Sequence, residues 1–471
     1  MKKYMKKYII LSLFIATLSS CQVSRNVETP KDAIPSEYRG VASTDSTTAG
    51  DLEWKSFFTE KTLQGLIDNA IAKNNELQLA QKNIEIAQLQ FSQSKWNTIP
   101  SLNLQVTGNS TNPSKNSLNG VSLSQFLGKN HIEDFTAAAN LSWEADIWSK
   151  LRNQKKSALA QYLQSEEVKK ALQTTIVATV SKGFYNLLML DAQLEIAKQN
   201  LALNDSTLFI INLQYEAGQV TSLAKQQAAS QRLVAAQLIP LLEQNIVIQE
   251  NALSVLTGSF PKAIDRKATL QAIAAHEDLK AGIPSTLVNK RPDVKSAELA
   301  LQSANAKVGL SKAALYPSLS ITATGGLNSF ESSNWFTMPA SLFGVVAGSI
   351  AQPLLNNKKL RTQYEISKKE REKTVISFRQ SVLTAVAEVS DAMVKIDKLD
   401  AQNKIAASRV ETLQEAIRNA TMLFKNGMAN YLEVITAQSN LLQSELELAA
   451  LKKSRLEADI ELYRALGGGW R

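Results

Sequence analysis

Residues 187–218 read LLMLDAQLEIAKQNLALNDSTLFIINLQYEAG. Leu187, Leu194, Leu201, Leu208 and Tyr215 recur every seven residues, and Leu190, Ala197, Asn204 and Ile211 interleave three residues later. An a/d pattern sustained over several heptads is the seam of a helix packed lengthwise on another helix. Carried back to residue 151, such a helix is roughly 100 Å long at 1.5 Å per residue, too long for an ordinary globular domain. Gly218 supplies the left-handed backbone that a helix end needs. After it the seam resumes as Val234, Leu241, Ile248 and Val255. Pro240 predicts a kink or a local break in this returning helix.

Working outward, the chain repeats itself. At an offset of 217, Asn74-Asn75-Glu76-Leu77 with Ala80 matches Arg291-Pro292-Asp293-Val294 with Ala297. Ser94, Pro100-Ser101-Leu102, Leu104 and Gly108 likewise match Ser311, Pro317-Ser318-Leu319, Ile321 and Gly325. At an offset of 209, Leu151-Arg152 matches Leu360-Arg361, and Tyr215-Glu216-Ala217-Gly218 matches Phe424-Lys425-Asn426-Gly427. Ile435, Leu442, Ala449, Leu456 and Tyr463 repeat the heptad in the second half. Each half reads helix, strand, loop, strand, very long helix, glycine turn, long helix. The predicted organisation is a first repeat at 51–258, a connector at 259–283 and a second repeat at 284–471. Both repeats end in coiled-coil hairpins that turn at Gly218 and Gly427.

Between the helices lie four segments of about ten residues with period-two alternation, near 101–110, 134–144, 318–328 and 341–352. Leu102, Leu104 and Val106 alternate with Asn103, Gln105 and Thr107, and the fourth segment is small, apolar and blurred. One apolar and one hydroxyl- or amide-bearing face suits lipid outside and water inside, although soluble sandwich strands alternate in the same way. Trp143, Phe330, Trp335 and Phe336 near strand ends suit an interfacial belt. Four strands leave two open edges, which lipid does not tolerate, and membrane barrels begin at about eight strands. Several chains therefore share one barrel. Residues 109–133 and 329–340 read as its external loops.

The N-terminus carries an export signal. Lys2, Lys3, Lys6 and Lys7 form a basic region, residues 8–18 a short apolar one, and Leu18-Ser19-Ser20-Cys21 follows. Residues 1–20 are the predicted signal peptide. The segment ending in Cys21, the only cysteine, resembles the lipobox of bacterial lipoproteins, in which the thiol is acylated. Residues 21–50, rich in Ser, Thr, Pro and Gly, read as an extended lipidated tether. The formal charge of the 471 residues is +9, of which four belong to the signal lysines. That balance, without an Arg-rich patch interleaved with aromatics, excludes nucleic acid as the expected partner. His131 and His276 are the only histidines, and neither has metal-ligand spacing. They read as surface residues. No phosphate-binding glycine loop occurs. The chain is expected to be no enzyme, with no cofactor and no metal.

Trp54-Lys55-Ser56-Phe57-Phe58, Leu141-Ser142-Trp143-Glu144-Ala145-Asp146-Ile147-Trp148, Arg291-Pro292-Asp293, Tyr316-Pro317-Ser318 and Leu466-Gly467-Gly468-Gly469-Trp470 follow one another in order. This series resembles the TolC-like outer-membrane efflux proteins, specifically the NodT/OprM-type lipoproteins of tripartite efflux systems of the RND type. The resemblance implies a homotrimer with a twelve-stranded β-barrel, four strands per chain, and a long α-helical coiled-coil tunnel in the periplasm. It also implies a cell outer membrane location, contact with outer-membrane lipid, a periplasmic adaptor and an inner-membrane pump. By the same resemblance the adaptor docks on Gly218, Gln219, Val220, Thr221 and Ser222, and on Gly427, Met428, Ala429 and Asn430. Leu432 helps close the tunnel. Many members carry an acidic gate residue where this chain has Thr436, and Glu433 is the nearest carboxylate. The implied activity is passive conduction of drugs and other small molecules delivered by the pump. Two rivals stand beside it: the outer channel of a type I secretion system, and a lipid-anchored coiled-coil scaffold without a pore. The scaffold leaves four strands at matched repeat positions unexplained.

Overall fold

The computed structural model describes residues 38, 48–276, 279–284 and 290–471. Cys21 and the signal segment lie outside the described residues. The elements run α1 (Trp54–Phe57), α2 (Lys61–Lys73), α3 (Asn75–Trp96), β1 (Ser101–Thr111), α4 (Leu118–Leu127), β2 (Ile132–Ala145), α5 (Lys150–Glu216) and α6 (Ser222–Leu256). They continue with α7 (Pro292–Ala313), β3 (Ser318–Ser329), β4 (Leu342–Ala351), α8 (Lys359–Lys425) and α9 (Tyr431–Ala465). Helices come in matched pairs. α3 and α7 have 22 residues each, α5 and α8 have 67, and α6 and α9 have 35. The described residues divide into two compact units, one holding residues 85–163 and 298–377, the other 38, 48–84, 164–276, 279–284, 290–297 and 378–471.

The first unit carries one antiparallel sheet in the order β1-β2-β3-β4, so β1 and β4 are both edges. Its register sorts the side chains into two faces. Leu102, Leu141, Ala323 and Val346 lie in one row, and Val106, Ala137, Leu327 and Leu342 in another on the same face. The register also resolves the blurred fourth strand, whose Leu342, Gly344, Val346, Gly348 and Ile350 share the apolar face. The opposite face is laced by side-chain hydrogen bonds. Asn140 donates to Gln105 at 3.2 Å, and Thr324 donates to Asn140 at 2.8 Å. The Ser320 and Ser349 hydroxyls pair at 2.7 Å. Leu104 and Val346 are exposed.

At the foot of the sheet, the Asp146 carboxylate accepts from the amides of Leu151 and Arg152 at 2.9 and 3.0 Å, satisfying two of the orphan donors that begin α5. Trp148 donates its indole N–H to the Pro317 carbonyl at 2.7 Å and stacks on Tyr316. The expected loop 109–133 is a different matter: it holds helix α4. Ser117 caps it by accepting from the Gly120 amide, and Gly128 ends it at φ 62°. Its ten residues are too few for a heptad to show, and its Ser, Asn and Gly content masks the helix.

The second unit is helical. Its core centres on Phe58, Leu63, Ile67, Phe184, Leu187 and Tyr463. On α5 the interleaved line Leu190, Ala197, Asn204 and Ile211 is buried, whereas Tyr215 is exposed. On α6 the expected seam is displaced. Val234, Leu241, Ile248 and Val255 are 57, 51, 56 and 66 % exposed, and Ala224, Ala228, Ala235 and Leu242 are buried instead. Small alanines let α6 lie close on α5, and the larger apolar residues are left as a second, unpartnered row. Pro240 does not break the helix, which runs uninterrupted through it. The end of the expected tether is also not free. Tyr38, Thr48, Ala49 and Gly50 are buried, and the Ala49 amide donates to the Lys280 carbonyl at 2.9 Å.

Candidate functional site

Gly218 and Gly427 have φ of 70° and 71° and end α5 and α8 in the same way. Gln219 N–H donates to the Gln214 carbonyl and Gly218 N–H to Tyr215; Met428 donates to Leu423 and Gly427 to Phe424. This double bond pattern satisfies orphan carbonyls and reverses the chain in a few residues. The next helices start at once. Thr221 accepts from the Ala224 amide, and Asn430 accepts from the amides of Leu432 and Glu433. Glu433 reaches back to the Asn430 amide and completes a capping box. Its carboxylate is engaged at the cap. Gln219, Thr221, Ser222, Met428 and Asn430 are exposed, and Val220 and Ala429 are half-buried. Leu432 is 53 % exposed and Thr436 is exposed one turn further along α9. Behind these turns Ile211, Ala224, Phe424 and Val434 share one apolar cluster, so the two hairpins are packed together. The Tyr431 hydroxyl also donates to the Gln227 side chain at 2.5 Å.

A second constellation went unread in the sequence. Arg266, in the connector, holds Asp191 with two bonds of 2.6 and 2.7 Å and Glu250 with one of 2.5 Å. Arg455 holds Asp400 at 2.6 Å and also pairs with Asp459. The connector closes both pairs: Ile264 N–H donates to Glu250 at 3.2 Å and His276 N–H to Asp459 at 3.0 Å. His276 is therefore no simple surface residue. Its ring stacks on Phe57 with centroids 4.3 Å apart, and Phe57 stacks on Tyr463. Extending the offset of 209 to charged residues would have paired Asp191 with Asp400 and Glu250 with Asp459. His131 is exposed.

A third group lies at the matched helix ends. Asn74 donates to the Leu256 carbonyl at 2.9 Å, and Arg291 donates to the Ala465 carbonyl at 3.1 Å. Gly258 and Gly467, at φ 67° and 85°, repeat the turn seen at Gly218. A Cβ on Gly258 would meet the Lys73 carbonyl oxygen at 2.4 Å, and one on Gly467 would meet that of Lys290 at 3.0 Å. Arg291 is buried and bonded to Asp293 and Glu388.

Paired hairpins of matched length and a sheet whose edge strands are β1 and β4 describe a protein of two repeats. The family model for the outer membrane efflux protein matches residues 66–259 and 283–468. The chain belongs to that family.

Two relatives span nearly the whole of it. The cation efflux system protein CusC of Escherichia coli is 26 % identical over 458 residues, covering 96 % of this chain and 97 % of its own length. The outer membrane protein OprJ of Pseudomonas aeruginosa is 28 % identical over 468 residues, covering 98 and 96 %. The fold agrees with a crystal structure of the open state of the Neisseria gonorrhoeae MtrE outer membrane channel. That structure is 25 % identical with a TM-score of 0.85, covering 96 % of this chain and 99 % of that one. This outer membrane efflux protein has a TolC-like fold. The four-stranded sheet is its contribution to a β-barrel. No helix among the described residues is long and apolar enough to cross a membrane.

Proposed function

We propose that three copies of this chain form the outer-membrane channel of a tripartite efflux pump, passively conducting drugs and other small molecules to the exterior. The observation that carries this reading is the sheet. Among the described residues it has two open edges, no layer covering either face, one apolar face and one face of hydrogen-bonded Asn, Gln, Ser and Thr. In water such a sheet exposes an apolar surface and two rows of unpaired backbone groups. In a closed ring set in lipid it exposes neither to water, because β4 of each copy pairs with β1 of the next and the apolar face meets hydrocarbon. Head-to-tail contacts of this kind form a ring when the rotation between copies closes. Twelve strands follow from three copies. The exposed row Val234, Leu241, Ile248 and Val255 gives the helical part an apolar surface of its own for a neighbouring copy.

Acylation of Cys21 anchors the chain to the outer membrane by the same proposal. The turns at Gly218–Ser222 and Gly427–Asn430 then dock a periplasmic adaptor, which links the channel to a pump of the RND type in the inner membrane. Leu432 and Thr436 face the closing end. The chain performs no chemistry: it supplies a closed state, and adaptor docking opens it by binding the open state better.

The test is reconstitution of the purified lipoprotein in planar bilayers, with migration on gels before and after boiling. A trimer that shifts on heating and conducts ions supports the proposal. A monomer without heat shift or conductance rejects it.

A further inference from the structure

Gln438 is 2 % exposed on α9, in the middle of an apolar interface. Its Nε2 donates to the Thr207 hydroxyl of α5 at 2.8 Å and to the Leu203 carbonyl at 3.4 Å. Its Oε1 has no hydrogen-bond partner among the described residues. Asn200 donates to the Gln438 carbonyl at 3.5 Å, and Asn204 donates to the Asn200 carbonyl and side chain at 2.9 Å. Asn200, Asn204 and Thr207 are all buried. On the same helices Ile211, Val434 and Leu441 are buried and apolar. Burying amides here costs stability that apolar side chains of similar size would not. What a polar residue in a helix seam supplies is a single register. Leu432 lies six residues before Gln438 on the same helix, about 9 Å along its axis.

We infer that Gln438 is the register lock of the closing segment. Its bonds to Thr207 and Leu203 fix the height of α9 on α5, and with it the position at which Leu432 and Thr436 are presented. The lock consists of neutral hydrogen bonds with one acceptor already unpaired, so it releases without separating charges. Gln438 acts as a positioning residue through Leu432. This inference rests on reading the chain as a channel closed at Leu432.

The test uses the full-length protein in planar bilayers with Gln438→Glu, Gln438→Ala and Leu432→Ser, beside thermal melting of each. A protonated glutamate can still donate to Thr207; an ionised one cannot, and it leaves an unpaired charge in the core. Burial pushes such a carboxyl up, toward neutral pH. Closed-state conductance of Gln438→Glu should match the parent near pH 5 and rise at least about fivefold toward pH 8, while the parent stays flat. Gln438→Ala should leak at every pH. Conductance of both Gln438 variants equal to the parent at all pH values would overturn the lock. So would a leak of Gln438→Glu that follows loss of melting temperature and ignores pH. If Gln438→Ala does not fold, the two pH values for one Gln438→Glu preparation still decide. If neither the parent nor Leu432→Ser conducts, the channel reading fails. If Leu432→Ser leaks and the Gln438 variants do not, only the lock fails.

Discussion

Asp191 and Asp400 stand at equivalent places on α5 and α8, and each is held by a guanidinium from a different part of the chain. Arg266 reaches Asp191 from the connector, whereas Arg455 reaches Asp400 from α9. The second acids, Glu250 and Asp459, are equivalent too, and each also accepts from a connector amide. The repeat has kept the geometry of its acids while the cation moved. The connector is thereby tied to both halves, and the two ties should differ in strength.

Arg455→Ala leaves Asp459, 2 % exposed, without its cation. Breaking a buried pair in this way costs about 3–5 kcal/mol. Arg266→Ala should cost less, because the inner acid it strands, Glu250, keeps a side chain 11 % exposed against 3 % for Asp459. Denaturant unfolding of the two variants checks the order. Equal losses would show that the ties are equivalent after all.

Glu461 bridges Lys182 of α5 and Lys395 of α8 at 2.7 and 2.9 Å. Burial pushes its carboxyl up, but the bonds and charges of Lys182 and Lys395 outweigh this and hold it below the usual range. A carboxyl depressed in the folded state adds stability above its unfolded pKa of about 4.3, and that stability is lost as pH falls through the folded value. Glu461→Gln should therefore be less stable than the parent at neutral pH, and the gap should close on acidification. Melting temperatures at several pH values measure it; a gap independent of pH refutes the linkage.

At Gly218 an added Cβ meets nothing within 4 Å, so only the left-handed backbone opposes a side chain. Gly218→Ala should cost about 1–2 kcal/mol. Gly258→Ala adds a contact of 2.4 Å with the Lys73 carbonyl and should lower the melting temperature further. Similar melting of the two variants would mean that the chain around Lys73 yields.

Leu104 and Gln105 are neighbours on β1 that point to opposite faces of the sheet. An arginine on a lipid face costs about 2–4 kcal/mol at the bilayer midplane. Leu104→Arg should reduce folded, heat-modifiable protein, while Gln105→Arg should fold and shift conductance toward anions. The reverse result would exchange the two faces.

Leu432→Ser should loosen closure and admit large antibiotics to cells without any partner, whereas Thr436→Ala should not. Sensitivity at matched expression tests this; unchanged sensitivity of Leu432→Ser counts against closure at that residue.

Much of this was legible in the chain itself. Helix length follows from heptads, hairpin turns from Gly218 and Gly427, and strands from period two, because each is a local pattern. The α6 row could not be assigned from spacing. Both Val234–Leu241–Ile248 and Ala228–Ala235–Leu242 repeat every seven residues, and only packing decides which is buried. Helix α4 was hidden because a ten-residue helix made by its caps has no period to read. The Arg266 and Arg455 ion pairs are not legible in the chain, because a charged residue on a helix such as Asp191 reads as solvated until its partner, 75 residues away at Arg266, is folded onto it.

The sequence by itself determined the repeat, its two hairpins and three alternating strands, since period and glycine placement are local patterns along the chain, while the register resolved the fourth strand. The tertiary structure alone decided which seam is buried and where the connector is tied. It also placed Gln438 in the core beside Thr207. Those outcomes depend on which distant side chains meet, and that is set by packing across the fold rather than by neighbours along the chain.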